Sequence, residues 1–262
     1  MELESRVGEL KKQGLGLAAI SYDRPETLKA FSDARRITFP LLSDRESAII
    51  RRFGLLNTTV EAGSPMFGIP FPGTFIVDRK GIVQQRHFEQ AYQERNTAAS
   101  ILVRQGATPF GPSVTAETPH LMMTGALSDE QVAPGERLTI VFDIAPRRGM
   151  HVYAPGKHPY QVVNVRFDAQ PWLRTHPVAY PASEIYNFKP LDERVEVYQQ
   201  PFRLVQDVTI LGSREAEKLL TGQSSIVLSA TLEYQACDDK VCYTPQRVPL
   251  KWTLPLKTLL RK

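Results

Sequence analysis

The sequence predicts two successive folds, an α/β layered half and an all-β sandwich half. Three observations carry that expectation. Helical and strand-like hydrophobic patterns alternate over residues 1–105; a stretch rich in Pro, Gly, Thr and Ser with no periodicity follows; beyond it, short apolar runs are separated by Pro- and Gly-containing turns. At 262 residues the chain is long enough for two ordinary domains, each with its own core. The boundaries fall at 1–105, 106–117 for the linker, and 118–262.

In the first half, Leu3, Val7 and Leu10 stand at helical spacing among charges, and Gly14 ends that helix. Leu15–Ser21 is a continuous apolar run, as expected of a strand buried on both faces. Pro25 opens a second helix with Leu28 and Phe31 among its apolar positions. Ser43-Asp44 can cap a third, with Ile49, Ile50 and Phe53 inward and Gly54 closing it. Phe75–Asp78 and Ile82–Phe88, joined through Arg79-Lys80-Gly81, read as a hairpin, and a last helix runs from about Glu94 to Arg104.

In the second half, Arg137–Ile144, Val162–Phe167, Phe202–Ile210, Ser225–Tyr234 and Arg247–Leu254 alternate or run apolar at strand length. Only Arg214–Leu220 reads as helix. Many short strands with regular turns predict a β-sandwich.

Composition excludes several functions. The net charge is only +4, and the basic residues are scattered rather than striped with aromatics, which argues against a nucleic-acid partner. No apolar run is long enough to span a bilayer. The charged start Met1-Glu-Leu-Glu-Ser-Arg is not an export signal. There is no Gly-rich phosphate loop, no GxSxG elbow and no HExxH helix.

The chain has two cysteines, Cys237 and Cys242, separated by four residues in Tyr234-Gln-Ala-Cys-Asp-Asp-Lys-Val-Cys-Tyr-Thr-Pro. Asp238-Asp239-Lys240 is turn-like, so flanking antiparallel strands would bring the two Cα atoms within reach of a disulfide. So short a ring contributes only about 2 kcal/mol by chain entropy, a small return for a domain with a large core. A reversible redox pair explains it better. A structural disulfide, two unrelated reduced cysteines, or a zinc site completed by His151 or His158 are the other readings; zinc wants four ligands, and the sequence neighbours offer only carboxylates. No cofactor is called for.

Two resemblances sharpen this. Ile20-Ser-Tyr-Asp, Phe31, Phe39-Pro-Leu-Leu-Ser-Asp, Phe53-Gly and Gly73-Thr-Phe-Ile-Val-Asp-Arg-Lys-Gly-Ile-Val resemble the redoxin family, the alkyl hydroperoxide reductase and thiol-specific antioxidant proteins on the thioredoxin fold. Such domains place a strand and a reactive-cysteine loop before the helix that here begins at Glu2, so the resemblance implies an N-terminally incomplete thioredoxin-like domain. With no peroxidatic cysteine present, it does not imply peroxidase activity. Pro72 stands where that fold carries a cis-proline facing the active cysteine; the other reading is that Pro70 and Pro72 shape a loop.

Gly149-Met-His-Val-Tyr-Ala-Pro-Gly together with the cysteine segment resembles the N-terminal periplasmic domain of the thiol:disulfide interchange protein DsbD. This implies an immunoglobulin-like sandwich, a bacterial and periplasmic setting, and a thiol–disulfide oxidoreductase whose Cys237/Cys242 pair exchanges electrons with thioredoxin-like or other disulfide-bearing partners. His151 and Tyr153, two apart in a strand, share a side. The resemblance implies that they lie beside the cysteines, with Tyr234 and Tyr243 flanking the pair. A tyrosine that simply fills the sandwich core is the other reading of Tyr153. Glu184–Glu196 would be a loop capping the pair, with Phe188 or Leu191 as the shielding side chain. A protein-interaction module with a structural disulfide is the alternative function.

Overall fold

The structure is a computed structural model describing residues 2–88, 94–188 and 193–257. The chain divides into two compact units between Ala107 and Thr108.

The first unit is α/β. Helix α1 (Glu2–Lys12) buries Val7 and Leu10, with acidic residues in its first turn and Lys11 and Lys12 in its last, matching the helix dipole. Strand β1 (Ala19–Ser21) pairs in parallel with β2 (Leu41–Ser43). Between them lies α2 (Pro25–Arg35), with proline in its first turn and Leu28 buried. Helix α3 (Ala48–Arg52) follows, then the antiparallel hairpin β3 (Gly73–Val77) and β4 (Val83–Phe88), the short β5 (Arg95–Asn96), and α4 (Ala98–Arg104).

Several sequence expectations for this unit need correction. The run Leu15–Ser21 forms a strand only at its last three residues and is nowhere fully buried, because β1 pairs with a single neighbour among the described residues. Ile50 of α3 is buried, but Ile49 and Phe53, the residue that ends the helix, are exposed, as is Phe31 in α2. Asp44 does cap α3, its two carboxylate oxygens accepting from the N–H groups of Ala48 and Ile50 at 3.0 and 2.8 Å. Helix α4 starts four residues later than expected. Thr97 is its cap, accepting from the Ser100 N–H at 3.0 Å, which leaves Glu94 outside the helix.

The second unit is a mostly antiparallel β-sandwich. Its larger sheet has the order β11 (Leu173–Thr175), β14 (Phe202–Ile210), β8 (Glu136–Pro146), β7 (Leu121–Leu127) and β6 (Ser113–Glu117). The facing sheet is β10 (Asn164–Phe167), β15 (Ser225–Tyr234) and β17 (Gln246–Pro255). Strand β15 shows why the sequence folds this way: Ile226, Leu228, Ala230, Leu232 and Tyr234 are all buried and the residues between them are not. Helix α5 (Arg214–Leu220) spans the residues expected of it and is capped by Ser213. Residues 113–117, assigned to the linker from composition, form β6 instead. Pro and Gly at 109–112 hide a five-residue strand that pairs with β7 along its length.

Trp252 is the centre of the core. It is 1% exposed, packs edge-on to Phe142 and stacks on Phe167, and donates its indole N–H to the Gly125 carbonyl at 2.9 Å. A Cβ at Gly125 would lie 2.7 Å from the indole ring, so that position admits only glycine. Trp252→Ala is expected to cost ~3–5 kcal/mol of sandwich stability, read as a lowered urea midpoint for the near-ultraviolet signal; a loss below ~1 kcal/mol would show that Trp252 is not the centre of the core.

Candidate functional site: the Cys237–Cys242 disulfide and its aromatic bed

A third, small sheet holds the site: β12 (Glu184–Phe188), β13 (Glu193–Tyr198), β9 (His151–Tyr153) and β16 (Ala236–Cys237), in that order. Strand β9 follows a turn in which Gly149 takes a positive φ of 81°, and all three of its residues are buried. On one edge it pairs Val197 with Tyr153, and on the other Cys237 with His151. Just after β9, Pro155, Gly156 and Pro159 keep the chain out of regular structure. The loop turns back, so that the Val163 N–H donates to the Tyr153 carbonyl at 2.9 Å and Tyr160 returns over Tyr153.

Cys237 and Cys242 form a disulfide, with Cα atoms 4.1 Å apart, across the turn Asp238–Val241. The turn is closed by the Asp238 N–H to the Val241 carbonyl at 3.0 Å and by the Tyr243 N–H to the Ala236 carbonyl at 2.9 Å. Asp238 organises it as an aspartate turn. One carboxylate oxygen accepts from the N–H groups of Lys240 and Val241 at 2.8 and 2.6 Å, and the other from the Tyr243 hydroxyl at 3.0 Å. The two backbone donors hold the Asp238 carboxyl below the ordinary aspartate range, and the bond to Asp238 holds the Tyr243 hydroxyl above the ordinary tyrosine range.

The two sulfurs are unlike. Cys237 is 1% exposed, whereas Cys242 is exposed. The Tyr153 oxygen lies 2.9 Å from Cys237 Sγ and 3.4 Å from Cys242 Sγ. Disulfide sulfurs carry no proton, so the hydroxyl is the donor. The Tyr153 ring stacks on Tyr160 at 4.2 Å, lies 5.2 Å from His158 and meets His151 edge-on at 5.7 Å. Burial, then the neighbouring Tyr160, Glu193 and Tyr186, raise the Tyr153 hydroxyl well above the ordinary tyrosine range. Tyr160 donates to Glu193 Oε2 at 2.6 Å, and that bond raises its own pKa. Burial lowers the His151 pKa, with Asp238 opposing. Tyr186 covers His151, ring centroids 4.5 Å apart.

The structure thus gathers Cys237, Cys242, His151 and Tyr153 at one place. It sends Tyr234 into the main core, where its hydroxyl donates to Thr118 Oγ1 at 2.9 Å and lies 3.2 Å from His120 Nδ1. Tyr243 packs its ring on His120 at 4.5 Å and braces the turn rather than the sulfurs. The segment Glu184–Glu196, expected as a loop, belongs to the hairpin β12–β13; its alternation of polar and apolar residues was the signal for that. Phe188 ends β12, but its side chain lies outside the described residues, as does Leu191. Pro72 lies in the first unit, and the described residues contain no cis peptide bond, so the cis-proline expectation does not hold. Sequence reasoning missed Tyr160, Tyr186, Glu193 and His120. Among the described residues no group of three or more His, Cys, Asp or Glu could hold a metal ion, and no helix is long and apolar enough to cross a membrane.

An α/β unit followed by a β-sandwich with a half-exposed disulfide defines a disulfide-bearing protein of two compact units. Residues 1–86 match the AhpC/TSA family, and residues 123–251 match the family of the thiol:disulfide interchange protein DsbD, N-terminal. The chain therefore joins an AhpC/TSA redoxin domain to a DsbD N-terminal-like domain. A Mycobacterium tuberculosis protein named as a peroxiredoxin is 34% identical over 80 residues, 30% of this chain and 50% of that protein. Peroxiredoxin Bcp of Escherichia coli is 32% identical over 82 residues, 31% of this chain and 52% of its own. The chain spans about half the length of the curated relatives it matches. Among solved structures, the Neisseria meningitidis DsbD N-terminal domain in the reduced form aligns at a TM-score of 0.28 with 19% identity, covering 45% of this chain and 80% of that one. The N-terminal periplasmic domain of ScsB from Proteus mirabilis aligns at 0.32 with 12% identity, covering 54% and 49%.

The aspartate turn predicts a pH dependence. Because the folded Asp238 carboxyl is held below its unfolded value near 3.9, its stabilisation of the turn is complete above that pH and is lost as pH falls through the lower folded value. The amide resonances of Lys240 and Val241 are expected to titrate together below about pH 3.9. Asp238→Ala should abolish that titration; if both amides stay flat in the native protein, the carboxylate does not hold the turn.

Proposed function

We propose that the second domain is a thiol–disulfide oxidoreductase module that exchanges electrons through Cys237 and Cys242 with a thioredoxin-like protein or domain. The observation that carries this is the asymmetry of the pair. Cys242 is exposed at the end of a tight turn, while Cys237 is buried at the paired end of β16. Exchange proceeds by in-line attack on one sulfur, so access decides which sulfur is used. Cys242 is the sulfur a partner reaches, and Cys237 is the one that leaves and later resolves the mixed disulfide. The position of the pair also favours exchange over bracing. The ring it closes is short, and the sandwich already has a large core without it.

The AhpC/TSA match is consistent with a redox setting, but both cysteines of the sequence lie in the second domain. A peroxidase or antioxidant activity of the first domain would need a thiol that this sequence does not carry. On this reading the second redox pair belongs to the thioredoxin-like protein or domain that meets Cys242.

The test is trapping. In the intact chain, reduced thioredoxin should open the disulfide. Cys237→Ser should then capture a thioredoxin whose resolving cysteine has been removed and whose remaining thiol is activated as a mixed disulfide, at least ~10-fold more than Cys242→Ser, because the buried Cys237 thiol cannot reach the activated disulfide to attack it. A native disulfide that resists thioredoxin, with no adduct from either variant, would sink the reading and leave a structural disulfide in its place.

A further inference from the structure

The exchange reading leaves the buried sulfur as the harder half of the chemistry. When a nucleophile takes Cys242, the electron pair of the broken bond must settle on Cys237 Sγ, in a site that is 1% exposed. Burial disfavours a thiolate there, and the adjacent Asp238 carboxylate disfavours it further. Lys240 is the nearest cation in sequence, but it lies in the exposed part of the turn.

One group answers this. The Tyr153 hydroxyl sits 2.9 Å from Cys237 Sγ and only 3.4 Å from Cys242 Sγ, and its single proton favours the nearer sulfur. We propose that Tyr153 is a catalytic hydrogen-bond donor that stabilises the Cys237 thiolate as it leaves and thereby directs attack onto Cys242. The proposal rests on the exchange reading and gives the buried side of it a named residue.

The step balances as follows. A thiolate of a dithiol reductant forms a bond to Cys242 Sγ while the Cys237–Cys242 bond breaks and its electron pair passes to Cys237 Sγ. The Tyr153 proton stays on oxygen and is donated as a hydrogen bond. The second thiol of the reductant, after losing its proton to solvent, attacks the reductant's own sulfur in the mixed disulfide and releases Cys242. The reductant ends as a disulfide, and Cys237 and Cys242 have gained two electrons and take up protons from water.

The surroundings fit a fixed donor. The Tyr153 backbone is paired with Val197 in β13, and its strand is paired with β16 on the other edge. Its ring is held by Tyr160, His158 and His151, and Tyr160 is itself tied to Glu193. Burial and the neighbouring Tyr160, Glu193 and Tyr186 raise the hydroxyl above the ordinary tyrosine range, so it carries its proton when the disulfide is attacked. A tyrosine that merely filled the core would not need its oxygen at the sulfurs.

Tyr153→Phe in the full chain keeps the ring stack and deletes the hydroxyl. With dithiothreitol as the reductant, the Phe variant should be reduced roughly tenfold more slowly, the size expected for one hydrogen bond to a charged group. If that loss also appears in the equilibrium, the midpoint potential should fall by ~30 mV, the two-electron equivalent of tenfold. In a Cys242→Ser background, adding Tyr153→Phe should move the 240 nm thiolate transition of Cys237 up by about one pH unit. Should the Phe variant not fold, Tyr153→Gln and Tyr153→Leu decide the matter, since both lose the ring and only the first keeps a donor; faster reduction of the Gln variant supports the role, and equal rates overturn it. Reduction within about twofold, with unchanged potential and thiol titration, overturns it directly. Dithiothreitol needs no protein partner, so the outcome is separable: failure with thioredoxin alone refutes the exchange reading, and an unaffected Phe variant that still exchanges with thioredoxin refutes only the role of Tyr153.

Discussion

Strand β9 is paired on both edges over three residues, and that double pairing fixes everything else at the disulfide. Its contact with β16 sets Cys237 opposite His151, so the first cysteine enters the turn from a buried, hydrogen-bonded backbone. Its contact with β13 brings the hairpin β12–β13, and with it Tyr186 and Glu193, to the same side. Because side chains alternate along a strand, Val152 faces the main core while His151 and Tyr153 face the sulfurs. A one-residue slip of β9 would reverse this, putting Val152 against the disulfide and two polar rings into the sandwich. The large core penalises that slip, so the packing of the sandwich specifies the geometry of the site at its third sheet.

The turn between the cysteines then makes the two sulfurs chemically different. One end of the ring continues a buried strand and the other emerges into solvent. The disulfide is therefore neither wholly shielded nor wholly open, and access is granted at one atom. Stability arguments do not explain such a design. About 2 kcal/mol from closing a short loop is less than a single buried tryptophan contributes to the same domain. The proposed exchange accounts for it, since exchange rates depend on which sulfur is reachable and on how well the departing thiolate is accommodated.

What could be read from the sequence divides along the line between local and non-local causes. The strands β14, β15 and β17 and the helix α5 follow from period and capping within one segment, and all were visible. The cysteine turn was visible for the same reason, as its partners lie within a few residues. Tyr153 and Cys237 are 84 residues apart, and Tyr160 and Glu193 are 33 apart, so no window of sequence contains either pair. Proximity in sequence also misled. Tyr234 stands three positions before Cys237, an odd number, and the pleat turns it to the opposite face, into the core with His120 and Thr118. The β12–β13 hairpin was legible in its alternation but was outweighed by Pro190 and by the charges around it.

The two halves of the chain make unequal demands on a partner. The first domain matches a family named for peroxide and thiol chemistry, yet no cysteine of this sequence falls within it. The second has a complete pair and a prepared bed of aromatic rings around it. A disulfide can only pass electrons on if another pair meets it, and thiol exchange requires that pair to approach Cys242 Sγ in line with the sulfur–sulfur bond. The turn Asp238–Val241 ends beside that sulfur with Val241 half exposed, an apolar side chain where a solvated turn would ordinarily carry a polar one. On the proposed exchange, whatever protein or domain supplies the second pair must fit a short, partly apolar turn, which is a narrower requirement than the bare presence of a disulfide.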